Sequence, residues 1–89
     1  MIERDITVSN RLGLHARASA KLVQLLSGYR SRAKLCGKGR EVDAKSIMGV
    51  MMLAAGQGTQ VTLKIDGEDE AEAMAAAADL FARNFDEGG

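Results

Sequence analysis

The chain has 89 residues, 46% hydrophobic and only 3% aromatic, so it can fill one modest aliphatic core and is not disordered. Lys/Arg and Asp/Glu both number 12, and the few aromatics and absence of a long basic run argue against nucleic acid. Cys36 is alone, which excludes an intrachain disulfide and a cysteine metal cluster.

Ile2, Ile6 and Val8 recur at period two and predict a strand over about 2–8. Asn10 to Leu14 is a loop. Ala16, Ser19, Leu22, Val23 and Leu26 share one helical face, and Gly28 follows where helices commonly end, so a helix is expected at about 16–27. Residues 32–36 and 40–44 flank Gly37-Lys38-Gly39 and read as a hairpin with a three-residue glycine loop. Ser46 is a good N-cap for a short helix from Ile47 to Leu53, with Val50 and Leu53 as its core residues. Val61, Leu63 and Ile65 alternate with Thr62 and Lys64 as a half-buried strand. Glu68, Asp69 and Glu70 suit the positive end of a final helix, whose apolar stripe is expected at Ala71, Met74, Ala78, Phe81 and Phe85. The tail Gly88-Gly89 is expected to fray.

The order strand, helix, two strands, helix, strand, helix gives an α+β open-faced sandwich, with one sheet covered on one side by helices. No linker or repeat divides the chain, so one domain over residues 1–89 is expected. The longest apolar run, Gly49 to Gly56, is too short to span a bilayer. Met1 leads straight into a strand pattern without a signal peptide, so a cytoplasmic protein without membrane insertion is expected.

Charge is unevenly spread. Residues 1–45 hold ten Lys/Arg and four Asp/Glu, a net +6, and residues 46–89 hold two and eight, a net −6. Such a dipolar surface suits an acidic partner meeting the basic side, around Arg17, Lys21 and Lys45.

The only histidine, His15, sits at the start of the first helix. The first amides of a helix, here Ala16, Arg17 and Ala18, have no intrahelical acceptor and make an anion site. Arg17 adds a planar cation, Gly13 frees the backbone, and Ala16 and Ala18 are expected to leave the mouth open. A neutral imidazole facing such a site can take a phosphoryl group. From these residues two roles stay open for His15, a surface histidine at a helix cap and a phosphoryl-carrying nucleophile. Ile47, Met48, Met51 and Met52 cannot all face inward on two turns of helix, and exposed methionine suits adaptable docking. Gly37-Lys38-Gly39 lacks the spacing of a P-loop. Glu68, Asp69, Glu70 and Glu72 read as a charged first helical turn and not as a metal site, and Cys36 as a structural thiol. Neither a metal nor a cofactor is expected.

Two segments carry a resemblance. Leu12-Gly13-Leu14-His15-Ala16-Arg17-Ala18-Ser19 resembles the active-site motif of the HPr family, histidine-containing phosphocarriers of the bacterial phosphoenolpyruvate-dependent sugar phosphotransferase system. Lys45-Ser46-Ile47-Met48-Gly49-Val50-Met51 resembles that family's regulatory-serine motif, and Gly58-Thr59 with Val61-Thr62-Leu63 its last strand. The resemblance implies a four-stranded antiparallel sheet of order 1-4-2-3. It implies that His15 accepts phosphate on Nδ1 from phosphorylated Enzyme I and passes it to an enzyme IIA component, assisted by Arg17. It implies docking of both partners through positions 47, 48 and 51 beside His15, and phosphorylation of Ser46 by an HPr kinase/phosphorylase where one exists. A monomer is expected. The chain departs from the family at Ala18, where proline usually follows the arginine; alanine restores an amide donor and loses rigidity. A nitrogen-related or regulatory paralogue is the alternative within the family. A small anion-binding α+β domain without covalent chemistry is the alternative outside it.

Overall fold

Alternation of apolar and polar side chains builds one sheet with one dry face. The structure, a computed structural model, describes residues 1–87. Strands β1 (Ile2–Thr7), β2 (Arg32–Gly37), β3 (Arg40–Asp43) and β4 (Gln60–Asp66) form an antiparallel sheet of order β1-β4-β2-β3. Helices α1 (Ala16–Ser27), α2 (Ile47–Met52) and α3 (Glu70–Ala82) complete the order β-α-β-β-α-β-α and cover one face. The tail Gly88-Gly89 lies outside the described residues.

Register follows from the core. Ala33 faces Ile65, Leu35 faces both Leu63 and Val42, and Ile6 faces Val61, which stacks apolar side chains across all four strands. Ile2 and Ile6 are only half-buried because β1 is an edge. Arg4 stands in the same row opposite Leu63, and its exposed charge blunts that edge.

Three local expectations need correction. Gly37 pairs with Arg40, so the hairpin loop has two residues, Lys38-Gly39, both at positive φ (51° and 77°). That primed turn matches the twist of the flanking strands better than a three-residue loop. On α1 the buried row is Ala18, Ser19, Leu22, Val23 and Leu26, while Ala16 is exposed. On α3 the buried row is Ala73, Met74, Ala77, Leu80 and Phe81, while Ala71 is exposed and Ala78 half-buried. In a run of alanines either neighbouring stripe has the same hydrophobicity, so packing against the sheet sets the rotation.

Phe85 is buried but does not belong to α3. The helix ends at Ala82, and a 3-10 turn over Asn84–Asp86 follows, with φ of 54°, 54° and 61°. This turn drives the Phe85 ring edge-on into Phe81, centroids 4.9 Å apart.

The α3 entry is tied to the start of β2 through Asp69. Its carboxylate accepts from the Arg30 amide at 2.8 Å, the Ser31 amide at 2.9 Å and the Ser31 hydroxyl at 2.5 Å. Glu68 pairs with Arg30, and Glu70 accepts from the Gly67 amide and meets the N-terminal ammonium. The Ser31 hydroxyl first, then the Arg30 amide, hold the Asp69 carboxyl below its usual range. A carboxylate with a lowered folded-state pKa stabilises the fold above its unfolded value, and that stabilisation is lost as pH falls through the folded value. Asp69→Ala is therefore expected to melt below the wild type at neutral pH. The gap should narrow below pH 3.8, the ordinary value, and close in stronger acid. Thermal melts of both proteins across this range test it; a gap that does not change with pH would assign the effect to packing alone.

Candidate functional site

His15 is the N-cap of α1, with extended backbone at φ −74° and ψ −178°. Leu14, the residue before it, is held at both of its backbone polar groups. The Leu14 amide donates to the Ala55 carbonyl at 2.9 Å, and the Leu14 carbonyl accepts from the buried Ser19 hydroxyl at 3.0 Å. Gly13 has φ +67°, and a Cβ there would lie 2.5 Å from the Ala55 carbonyl oxygen and 2.7 Å from the Gly56 Cα. Only glycine lets the loop before His15 press against the segment that follows α2.

The Ser19 amide closes the first turn of α1 on the His15 carbonyl. The amides of Ala16, Arg17 and Ala18 find no protein acceptor among the described residues. Together with the helix dipole they present partial positive charge next to the imidazole. The Arg17 side chain is exposed and makes no ion pair among the described residues. Ala18 is completely buried, so its methyl group serves the core and does not shape the mouth, contrary to expectation. An alanine methyl fits that packed position and keeps the backbone amide that proline would lack.

Two residues that sequence reasoning missed complete the site. Glu87 places one carboxylate oxygen on His15 Nε2 and receives the Asn10 side-chain amide on the other at 3.0 Å. Asn10 is wholly buried and also donates to the Gly13 carbonyl at 2.7 Å. Glu87 burial works against ionisation, but the Asn10 and His15 hydrogen bonds and the nearby Lys21 charge hold its carboxyl below the usual range. Glu87 lies 72 residues from His15, and no local pattern points to it. Asn10, three residues before Gly13, offered only the ordinary signal of a loop asparagine.

Ser46 caps α2, its hydroxyl accepting from the Gly49 amide at 3.1 Å. Val50 and Leu53 are buried, while Ile47, Met48, Met51 and Met52 are exposed, Met48 by 75%. Leu12, in the loop before His15, is exposed as well. The two lysines of the basic side are partly engaged: Lys21 Nζ donates to the Phe85 carbonyl at 2.7 Å and Lys45 Nζ to the Tyr29 carbonyl at 2.8 Å. Cys36 lies away from these groups on β2, its thiol donating to Glu41; burial first, then Glu41, push it up from its usual range, which suits an unreactive thiol. No helix of the described residues is long and apolar enough to cross a membrane.

Comparison with known proteins places this geometry. Residues 2–83 match the family model PTS-HPr, described as the PTS HPr component phosphorylation site. The chain is 61% identical over 88 residues to the phosphocarrier protein HPr of Cupriavidus necator, covering 99% of each chain. It is 60% identical over 87 residues to that of Xylella fastidiosa, covering 98% of each. Among solved structures it superposes on HPr-C-His from Thermoanaerobacter tengcongensis with a TM-score of 0.94, 42% identity and 98% coverage of both chains.

Proposed function

The chain belongs to the HPr family, phosphocarriers of the phosphotransferase system, and from that premise we propose that His15 is its phosphoryl-carrying residue. In this reading His15 accepts the group on Nδ1 from phosphorylated Enzyme I and passes it to an enzyme IIA component. One observation carries the assignment: His15 stands at the N-cap of α1, next to amides that find no protein acceptor, and an arginine that makes no ion pair, among the described residues. The oxygens of a phosphoryl group on His15 would take hydrogen bonds from Ala16, Arg17 and Ala18 amides and charge from the Arg17 guanidinium. Little covalent chemistry is asked of the protein in phosphoryl transfer; positioning and charge compensation do the work.

The test is direct. Incubation with Enzyme I and labelled phosphoenolpyruvate should place an acid-labile, base-stable label on His15, and His15→Ala should take none. Label that survives in His15→Ala would overturn the assignment. Acid-stable, noncovalent phosphate binding would instead favour an anion-binding domain. Label that reaches His15 but moves to no sugar-specific enzyme IIA would favour the regulatory paralogue.

The docking surface in this proposal is Ile47, Met48 and Met51 with Arg17, Lys21 and Lys45. Support comes from the exposed apolar side chains of α2, and from the contact of the segment after α2 with the His15 loop through Gly13 and Leu14. The chain acts here as one domain over residues 1–89, as a monomer in the cytoplasm. Sedimentation at working concentration tests the monomeric state.

Ser46 is proposed as a regulatory site for an HPr kinase/phosphorylase. A phosphate there adds about −1.5 to −2 charges beside the docking surface. At about 10 Å from an acidic partner group each charge costs roughly 1–2 kcal/mol, and less with salt. Ser46→Asp is therefore expected to lower phosphorylation by Enzyme I about tenfold while melting close to wild type, because aspartate is also a good N-cap. Ser46→Ala should phosphorylate normally but lose roughly 0.5–2 kcal/mol of stability with the cap. Normal transfer in Ser46→Asp would leave this serine a structural cap alone.

A further inference from the structure

The family match ends at residue 83, yet the segment beyond it reaches the imidazole. Asn84, Phe85 and Asp86 all adopt left-handed backbone, a conformation that costs non-glycine residues energy and persists only where surroundings enforce it. The surroundings are built for it. The Phe85 ring is wholly buried against Phe81, its carbonyl takes the Lys21 ammonium, and the Ser9 hydroxyl donates to the Asn84 side chain at 2.5 Å. The turn delivers Glu87, whose side chain is 13% exposed, onto Nε2 of an imidazole that is 29% exposed. Buried Asn10 takes the second carboxylate oxygen and fixes the group from the other side.

We propose that Glu87 is a positioning residue for phosphoryl transfer: its carboxylate holds the proton on His15 Nε2, directs the Nδ1 lone pair to phosphorus and balances the charge of the phosphorylated ring. This rests on His15 as the carrier. A carboxylate accepts only, so Nε2 must donate to it, and Nδ1 is then the bare nitrogen of the neutral ring. During uptake the Nδ1 lone pair forms the N–P bond as the donor's bond to phosphorus breaks, and that electron pair leaves with the donor. Nε2 keeps its proton, so the ring carries one positive charge and Glu87 supplies the matching negative charge. During delivery the acceptor's lone pair forms its own bond to phosphorus, the N–P pair returns to Nδ1, and the ring is neutral again with Nε2 still protonated. The logic is that of a carboxylate orienting a catalytic imidazole by its far nitrogen.

Nitrogen NMR of the single histidine reads the arrangement without overlap. In the neutral wild-type ring Nε2 should carry a proton protected from exchange, and Nδ1 should have the shift of an unprotonated nitrogen. Glu87→Ala should lose that protection and transfer the phosphoryl group about tenfold more slowly or worse, and should also melt lower, because the buried Asn10 amide loses an acceptor. Glu87→Gln should keep Nε2 protonated, because the amide oxygen also accepts, yet transfer slowly for want of the charge; it carries the test if Glu87→Ala does not fold. A proton on Nδ1 in the wild-type ring, or wild-type transfer rates in both folded variants, would overturn the proposal. If wild-type His15 takes no phosphoryl group, the carrier assignment itself fails, which is a different result from equal rates.

Discussion

Arg17→Ala is expected to fold normally and to slow phosphoryl transfer through His15 by about 30- to 1,000-fold. The side chain is exposed at the second position of α1 and makes no ion pair among the described residues, so the fold loses nothing with it. The transition state loses a preorganised cation at the transferring group. Removal of one such contact costs roughly 2–4 kcal/mol, at about 1.4 kcal/mol per tenfold in rate. Arg17→Lys should recover only part, because an ammonium is a point charge and cannot present two parallel donors to phosphoryl oxygens. Single-turnover transfer from phosphorylated Enzyme I measures both. A rate equal to wild type in Arg17→Ala would make the residue a bystander on the surface.

Gly13→Ala is expected to be the most damaging small substitution near the site. Left-handed backbone costs an alanine roughly 1–2 kcal/mol. The new methyl would also sit 2.5 Å from the Ala55 carbonyl oxygen and 2.7 Å from the Gly56 Cα. Both are backbone atoms and cannot swing aside as a side chain would, and overpacking of this kind costs typically 1–3 kcal/mol. The expected sum is roughly 2–5 kcal/mol, a large share of the about 5–15 kcal/mol that holds a domain together. Urea unfolding should show a lower midpoint with an unchanged slope. The remaining folded protein should transfer slowly, since relief of the clash moves Leu14 off Ala55 and turns the ring away from the helix mouth. A midpoint equal to wild type would mean that the loop has slack the geometry does not show.

The two variants divide the site into a part that binds charge and a part that aims the ring. Arg17 belongs to the first and should alter rate without stability. Gly13 belongs to the second and should alter both. Ser46 stands apart from each, with a capping role read in stability and a charge-dependent role read in transfer.

The local sequence determined the strands, the helices and the helix-mouth histidine. Alternation in β4 and the row Leu22, Val23 and Leu26 in α1 are periodic signals carried by neighbouring residues, and Ser46 caps α2 through the Gly49 amide three positions on. The strand order came with the family resemblance and is the order observed. What the tertiary structure alone decided lies where distant segments meet. The rotation of α3 could not be read from a row of alanines, because their faces are equally apolar until a sheet selects one. Phe85 fits the helical spacing of α3, yet the helix stops at Ala82 and a left-handed turn places that ring. Asp69 stands at the start of α3 as its sequence position suggests, but its side chain also ties α3 to Ser31, which no local pattern discloses. Glu87 reaches His15 across 72 residues of chain. Periodicity and capping are written over a few neighbouring residues, so a sequence discloses them; contacts of long separation depend on how the packed elements place their ends, and only the assembled fold fixes that.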